Sequence, residues 1–241
     1  VISYRGRIWR AVEGARSNTD IWGKRYSAMI ISAPDSADLL QAASWSVTDS
    51  LPYDSTYLDG KFGAWLEGNA VVTPDGNVAD LLRVDYAPGP EYAALIRLRD
   101  SVSFDPFDPE KDFVRMPGGA KKFTVRYDSL SGRYWSLVNY VTQEWAGKQN
   151  PAWIRNTLAL SSSPNLQEWT VHRTVLHHPD IAKHGFQYAD WLFDGNDIVL
   201  LSRTAYDDNG TGAHNCHDAN YMTFHRIKDF RKALTEQAGN R

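Results

Sequence analysis

The feature that most constrains this chain is a repeat of short, alternating apolar segments grouped around tight turns. The clearest group runs through residues 70–73, a turn at Pro74-Asp75-Gly76, then 77–84 and 93–99. A second group runs through 123–127, a turn at Ser131-Gly132, then 134–138, 157–160 and 169–171. A third has 191–193, a turn at Asp194-Gly195, then 197–201 and 221–224. The opening follows the same template: 1–4, Arg5-Gly6, 8–9, 28–31 and 45–47. Period-two alternation buries one face of a strand, and a glycine in a short turn supplies the positive φ that a tight hairpin needs. Helical periodicity is confined to a short amphipathic stretch, 228–237.

Four units of strand, turn, strand, loop, strand, turn and strand are what the blades of a β-propeller require. An all-β fold is therefore expected, as a single propeller domain over residues 1–241 with a C-terminal tail at 228–241. A chain of this length buries a sizeable core as one domain. The last unit shows only three strands, and the first starts without the beginning of its innermost strand. Both defects lead us to expect a missing N-terminal segment of one or two blades, within a ring of five to seven. A compact four-bladed ring is the alternative.

Composition narrows the partners. Charged residues make up 23% of the chain and the formal net charge is −3. That balance offers no basic face for nucleic acid or an anionic membrane. No apolar run approaches the ~20 residues that span a bilayer. Cys216 is the sole cysteine, so no intrachain disulfide forms. Nine Trp and twelve Tyr provide both sheet packing and flat apolar faces suited to sugar rings.

Blade geometry places the candidate site. Residues where the innermost strands begin, where second strands end, and in the following loops converge on one rim. These are Glu67 and Tyr188; Arg83, Asn139 and Arg203, with Arg10 and Glu13; and Arg155 with the stretch 206–220. Arginines, carboxylates and a tyrosine around a depression suit an acidic sugar. Within the glycine-rich stretch 207–218, His217 and Asp218 are expected to touch substrate. Its spacing of His, Cys and Asp matches no standard zinc pattern, so no metal and no cofactor are expected. The pairs His177-His178 and Lys121-Lys122 read as surface residues. No serine–histidine–aspartate, P-loop or dinucleotide motif is present.

Three segments resemble the sialidase superfamily of Asp-box propellers. Glu67, the strand and Asp-Gly turn after it, and Arg83 sixteen residues on are similar to that family's Glu-to-Arg segment. Arg155-Asn156-Thr157-Leu158-Ala159-Leu160-Ser161 followed by Trp169 is similar to its next arginine and Asp-box tryptophan. Tyr188, ahead of Trp191-Leu192-Phe193 and Asp194-Gly195, stands where the family has its nucleophile. The resemblance implies an exo-α-sialidase-like glycoside hydrolase that removes a terminal acidic sugar with retention. Tyr188 is then the nucleophile, Glu67 its base, and Arg83 and Arg155 bidentate clamps on the substrate carboxylate. Asp190, two residues past Tyr188, is a further carboxylate in the catalytic group. An extracellular or periplasmic setting is expected for such an enzyme.

The chain also departs from the family. Its third arginine and acid/base aspartate, which belong to earlier blades, have no counterpart here. Leu166 stands where the Asp box has glycine. The turn from Ser162 to Trp169 is equally similar to that of arabinanase- and fructosidase-type hydrolases. Such a hydrolase, a uronate-directed lyase, or a non-catalytic carbohydrate-binding propeller are the alternatives.

Overall fold

The computed structural model describes residues 1–15 and 19–236. The fold is all-β and of the β-propeller class, with four antiparallel sheets that each follow chain order. The first sheet holds β1 (Ile2–Tyr4), β2 (Arg7–Ala15), β3 (Tyr26–Pro34) and β4 (Ser46–Val47). The second holds β5 (Ala64–Val72), β6 (Val78–Asp85), β7 (Tyr92–Arg97) and β8 (Phe113–Arg115). The third holds β9 (Thr124–Asp128), β10 (Arg133–Asn139), β11 (Thr157–Ser163) and β12 (Thr170–His177). The fourth has three strands among the described residues: β13 (Gly185–Asp194), β14 (Asp197–Ala205) and β15 (Tyr221–Ile227).

Each sheet opens with a hairpin whose turn is legible in the sequence. At β5–β6, Gly76 takes φ of 80°, and its N–H donates to the Thr73 carbonyl at 2.9 Å. Gly195 plays the same part between β13 and β14 with φ of 62°. Both angles lie in the left-handed region that glycine enters without steric cost.

The chain divides into two compact units. The first comprises 1–87 and 92–115 and holds the first two sheets; the second comprises 88–91 and 116–241 and holds the other two. In the first unit, Trp65 is fully buried, stacks on Phe113 at 5.8 Å, and donates its indole N–H to the Pro52 carbonyl at 2.9 Å. Trp9, Ile30, Ala70, Val78 and Leu98 form a separate buried cluster there. The second unit is built around Trp135 and Trp191, with Leu137, Leu160, Leu200 and Phe230 packed beside them. Phe230 belongs to the tail, where a 3-10 turn (Phe230–Lys232) leads into a four-residue helix (Ala233–Glu236). The expected helical stretch is thus shorter than 228–237, and its last residue lies outside the described ones.

The first sheet has the four strands expected of it, with β1 supplying three residues. Other expectations need correction. Strand β8, three residues long, was hidden by the proline- and aspartate-rich stretch ahead of it. Lys121 is not a surface residue: it is fully buried, its ammonium ion-paired with Glu91 and bonded to the Pro151 carbonyl at 3.0 Å. Burial of an ammonium is tolerated only with such partners. His178 is half-buried and stacks on His184, whereas His177 is exposed.

Candidate functional site

Two strands carry the same irregularity. Between β5 and β6 the register runs from Trp65 opposite Val84 to Gly68 opposite Leu82. Between β13 and β14 it runs from Gln187 opposite Arg203 to Asp190 opposite Leu201. Each skip leaves one extra residue on the first strand, a β-bulge, which re-aims side chains next to functional sites. Glu67 lies in the first bulge and Tyr188 in the second. Tyr188 takes φ of 50°, a conformation that costs a non-glycine residue about 1–3 kcal/mol.

In the first unit, Arg83 donates to Glu67 at 3.0 Å, the arginine side chain only 9% exposed and the glutamate 32%. The bulge also brings Gly68 against Asp80: a Cβ on Gly68 would lie 2.2 Å from Asp80 Oδ1. Asp80 is buried, and its Oδ1 has no hydrogen-bond partner among the described residues. Burial pushes its carboxyl up to about 8, a backbone bond from Asn69 opposing and the Glu13 charge adding. Asp80 is therefore mostly neutral at pH 7. Burial also raises Asp85, against the pull of Arg83. Arg10 is exposed on β2, opposite Ile31, and Glu13 is exposed further along the same strand.

The second unit gathers the larger group. The Tyr188 ring lies under two guanidinium groups, Arg203 at 4.8 Å and Arg155 at 5.8 Å. The imidazole of His217 meets it edge-on at 6.2 Å. Arg155 is buried, its Nε donating to the Ala152 carbonyl at 2.9 Å and its Nη1 to Gln187 Oε1 at 2.7 Å. Gln187 turns its amide N–H groups to the carbonyls of Cys216 and His217, at 2.9 and 2.8 Å. Arg203 donates to the same His217 carbonyl at 2.9 Å. The 206–220 loop is thereby strapped onto β13 and β14. Burial, then the charge of Arg155, lowers the His217 imidazole, with Arg203 adding and Asp218 opposing. Asp218 is held below the usual carboxylate range by hydrogen bonds from His214, His217 and Asn215.

The structure thus joins Tyr188, Arg155, Arg203, His217 and Asp218 in one unit, and Glu67 with Arg83 in the other. Asp190 is engaged elsewhere: its exposed carboxylate pairs with Arg126 of β9 at 3.2 Å. Asn139 is buried and donates to the Phe186 carbonyl at 2.6 Å, an interior tie between sheets of the second unit. Sequence reasoning missed Gln187, whose role is visible only once the loop is folded. It also missed Trp153, which is 52% exposed with its ring 6.2 Å from His217. An indole two residues ahead of Arg155 was the available signal.

No family profile matches the chain, and no curated protein matches it. Solved structures do. A GH32 β-fructofuranosidase from Bombyx mori aligns with a TM-score of 0.56 at 14% identity, covering 84% of this chain and 40% of that one. A glycoside hydrolase aligns at 0.54 and 12% identity, covering 94% and 69%. A Dyadobacter fermentans protein of unknown function aligns at 0.51 and 14% identity, covering 83% and 59%. The chain spans 40% of the length of the fructofuranosidase. These likenesses establish the propeller fold, of a class that includes glycoside hydrolases. The sialidase resemblance rests on the sequence motifs alone.

Proposed function

We propose that this chain is a propeller-type glycoside hydrolase acting on a terminal acidic sugar, in the manner of a sialidase. The observation that carries the reading is Tyr188 held in a left-handed bulge beneath Arg203 and Arg155. Two guanidinium groups beside a phenol favour an incoming carboxylate and stabilise negative charge developing on the tyrosine oxygen. A tyrosine nucleophile suits an anomeric carbon that bears a carboxylate, since an aspartate or glutamate would be repelled. Trp153, exposed next to His217, offers a flat face to a sugar ring.

A neutral furanoside is the second reading, supported by the fold shared with the Bombyx mori β-fructofuranosidase. The pairing of Tyr188 with His217, an imidazole below its ordinary value, supports a uronate lyase in which both residues move protons. The proposal includes a further propeller segment that covers the fourth sheet. In support, Leu192, Leu201 and Phe224 share an open face of that sheet, at 58%, 50% and 63% exposure.

The test is a glycoside panel containing sialosides, fructosides, arabinosides and uronate-terminated oligosaccharides, run on the protein and on Tyr188→Phe. Release of the acidic sugar, abolished by Tyr188→Phe with thermal stability within about 1 kcal/mol, is expected. Release of neutral sugars alone would overturn the acidic-substrate reading. An ultraviolet-absorbing unsaturated uronate would replace hydrolysis by elimination.

A further inference from the structure

We infer that His184, Asp207 and His178 form a binding site for a divalent transition metal, independent of the sugar site proposed above. His178 directly follows β12, His184 directly precedes β13 and Asp207 lies two residues past β14, and their ligand atoms all lie within 4.8 Å of one another.

His184 carries the argument. Its side chain is 5% exposed, and its Nδ1 lies 2.9 Å from Asp180 Oδ2. A carboxylate there keeps the proton on Nδ1 and leaves Nε2 with a bare lone pair, the arrangement that orients metal-bound histidines. Asp180 is itself set by the backbone N–H groups of Ala182 and Lys183, at 2.7 and 3.3 Å. Nε2 of His184 is buried and has no hydrogen-bond partner among the described residues. It faces Asp207 Oδ2 at 3.4 Å. With the proton on Nδ1, Nε2 turns its lone pair toward that oxygen, and a cation between the two, a proton or a metal ion, is what relieves the repulsion.

The spacing suits a metal. Ligand bonds of about 2.0–2.1 Å in tetrahedral geometry place neighbouring ligand atoms about 3.4 Å apart. The Asp207 side chain is 75% exposed, which leaves a solvent side for water or another ligand. Tyr206 walls the group, its ring edge-on to His184 at 4.9 Å and to His178 at 5.4 Å. Two imidazoles and a carboxylate suit zinc and its neighbours rather than calcium or magnesium. His178 is the weakest of the three ligands, because its Nδ1 accepts the Asp180 N–H at 3.1 Å and its ring stacks face to face on His184 at 3.5 Å, so it must turn to share an ion.

The test is calorimetric titration of tag-free, chelator-treated protein with Zn²⁺, together with Co²⁺ absorption spectroscopy. One Zn²⁺ per chain is expected, with ligand-field bands for Co²⁺. Asp207→Asn, an exposed substitution whose fold is checked by circular dichroism, and His184→Gln should each weaken binding at least about tenfold. His178→Gln should weaken it less, and His214→Gln, in the neighbouring exposed pair with Asp218, should leave it unchanged. Absence of saturable binding would show that His184 is satisfied by a proton alone and would overturn the site. So would binding that survives both Asp207→Asn and His184→Gln, or that is lost in His214→Gln. Metal binding is read independently of turnover, so its failure and that of the hydrolase reading are separate.

Discussion

Asp80 offers a direct measurement of what the β5–β6 bulge costs. Its carboxyl titrates at about 8 in the folded chain against 3.8 as the ordinary value. For an acid raised in this way, the unfolded state releases its proton first as pH rises. Stability is therefore fully present below 3.8, falls between 3.8 and about 8, and is level above that. At about 1.4 kcal/mol per pH unit, the loss is on the order of 5–6 kcal/mol, a large share of the roughly 5–15 kcal/mol typical of a domain. Asp80→Asn removes the titration while keeping the shape. Below pH 3.8, where Asp80 keeps its proton in both states, the extra buried N–H pair of the amide makes the variant the less stable by about 1–3 kcal/mol. Above pH 8 the variant should be the more stable by roughly 3 kcal/mol. Urea unfolding of both proteins from about pH 4 to about pH 9 reads this directly. Parallel stability curves for wild type and variant would refute the reasoning, since the difference between them isolates this one carboxyl.

Gly68→Ala places a Cβ 2.2 Å from Asp80 Oδ1, so the carboxyl or the bulge must move; a loss of about 1–3 kcal/mol in urea unfolding is expected. Asp128→Asn weakens a fork in which Arg231 donates to both carboxylate oxygens, at 2.8 and 2.7 Å. Bonds from Arg231, with Ser131 assisting against the cost of burial, hold this carboxyl at about 2, so its contribution is present above 3.8 and fades as pH falls through 2. A loss of about 1–2 kcal/mol near pH 7, vanishing in strong acid, should appear in thermal unfolding. Arg203→Lys keeps the charge over Tyr188 but loses the planar fork, so KM for an acidic glycoside should rise about tenfold or more while neutral glycosides are unaffected. Equal effects on both substrates would assign Arg203 to holding the His217 loop.

Local chemistry made the blades legible. Alternation marks strands wherever one face is buried, and the Asp-Gly and Ser-Gly turns bring each strand back on the last. Those signals span a few residues, so β5, β6, β9, β10 and β14 could be read without a structure. The short β8 could not be, because it follows directly on a proline- and aspartate-rich stretch that reads as loop.

Long-range contacts decided the rest. Lys121 sits beside Lys122 and reads as solvated, yet Glu91, thirty residues away, takes it into the interior. Glu67 and Tyr188 were legible as candidates, but the extra residue that re-aims each depends on the register of a partner strand. The partners of Gln187 on the 206–220 loop and the orphaned nitrogen of His184 arise only when segments 20 or more residues apart are brought together. Hydrophobic period and turn chemistry are properties of neighbours along the chain, and the sequence alone determines them. Burial, ion pairing and proton affinity depend on what the folded chain places nearby, so only the tertiary structure decides them.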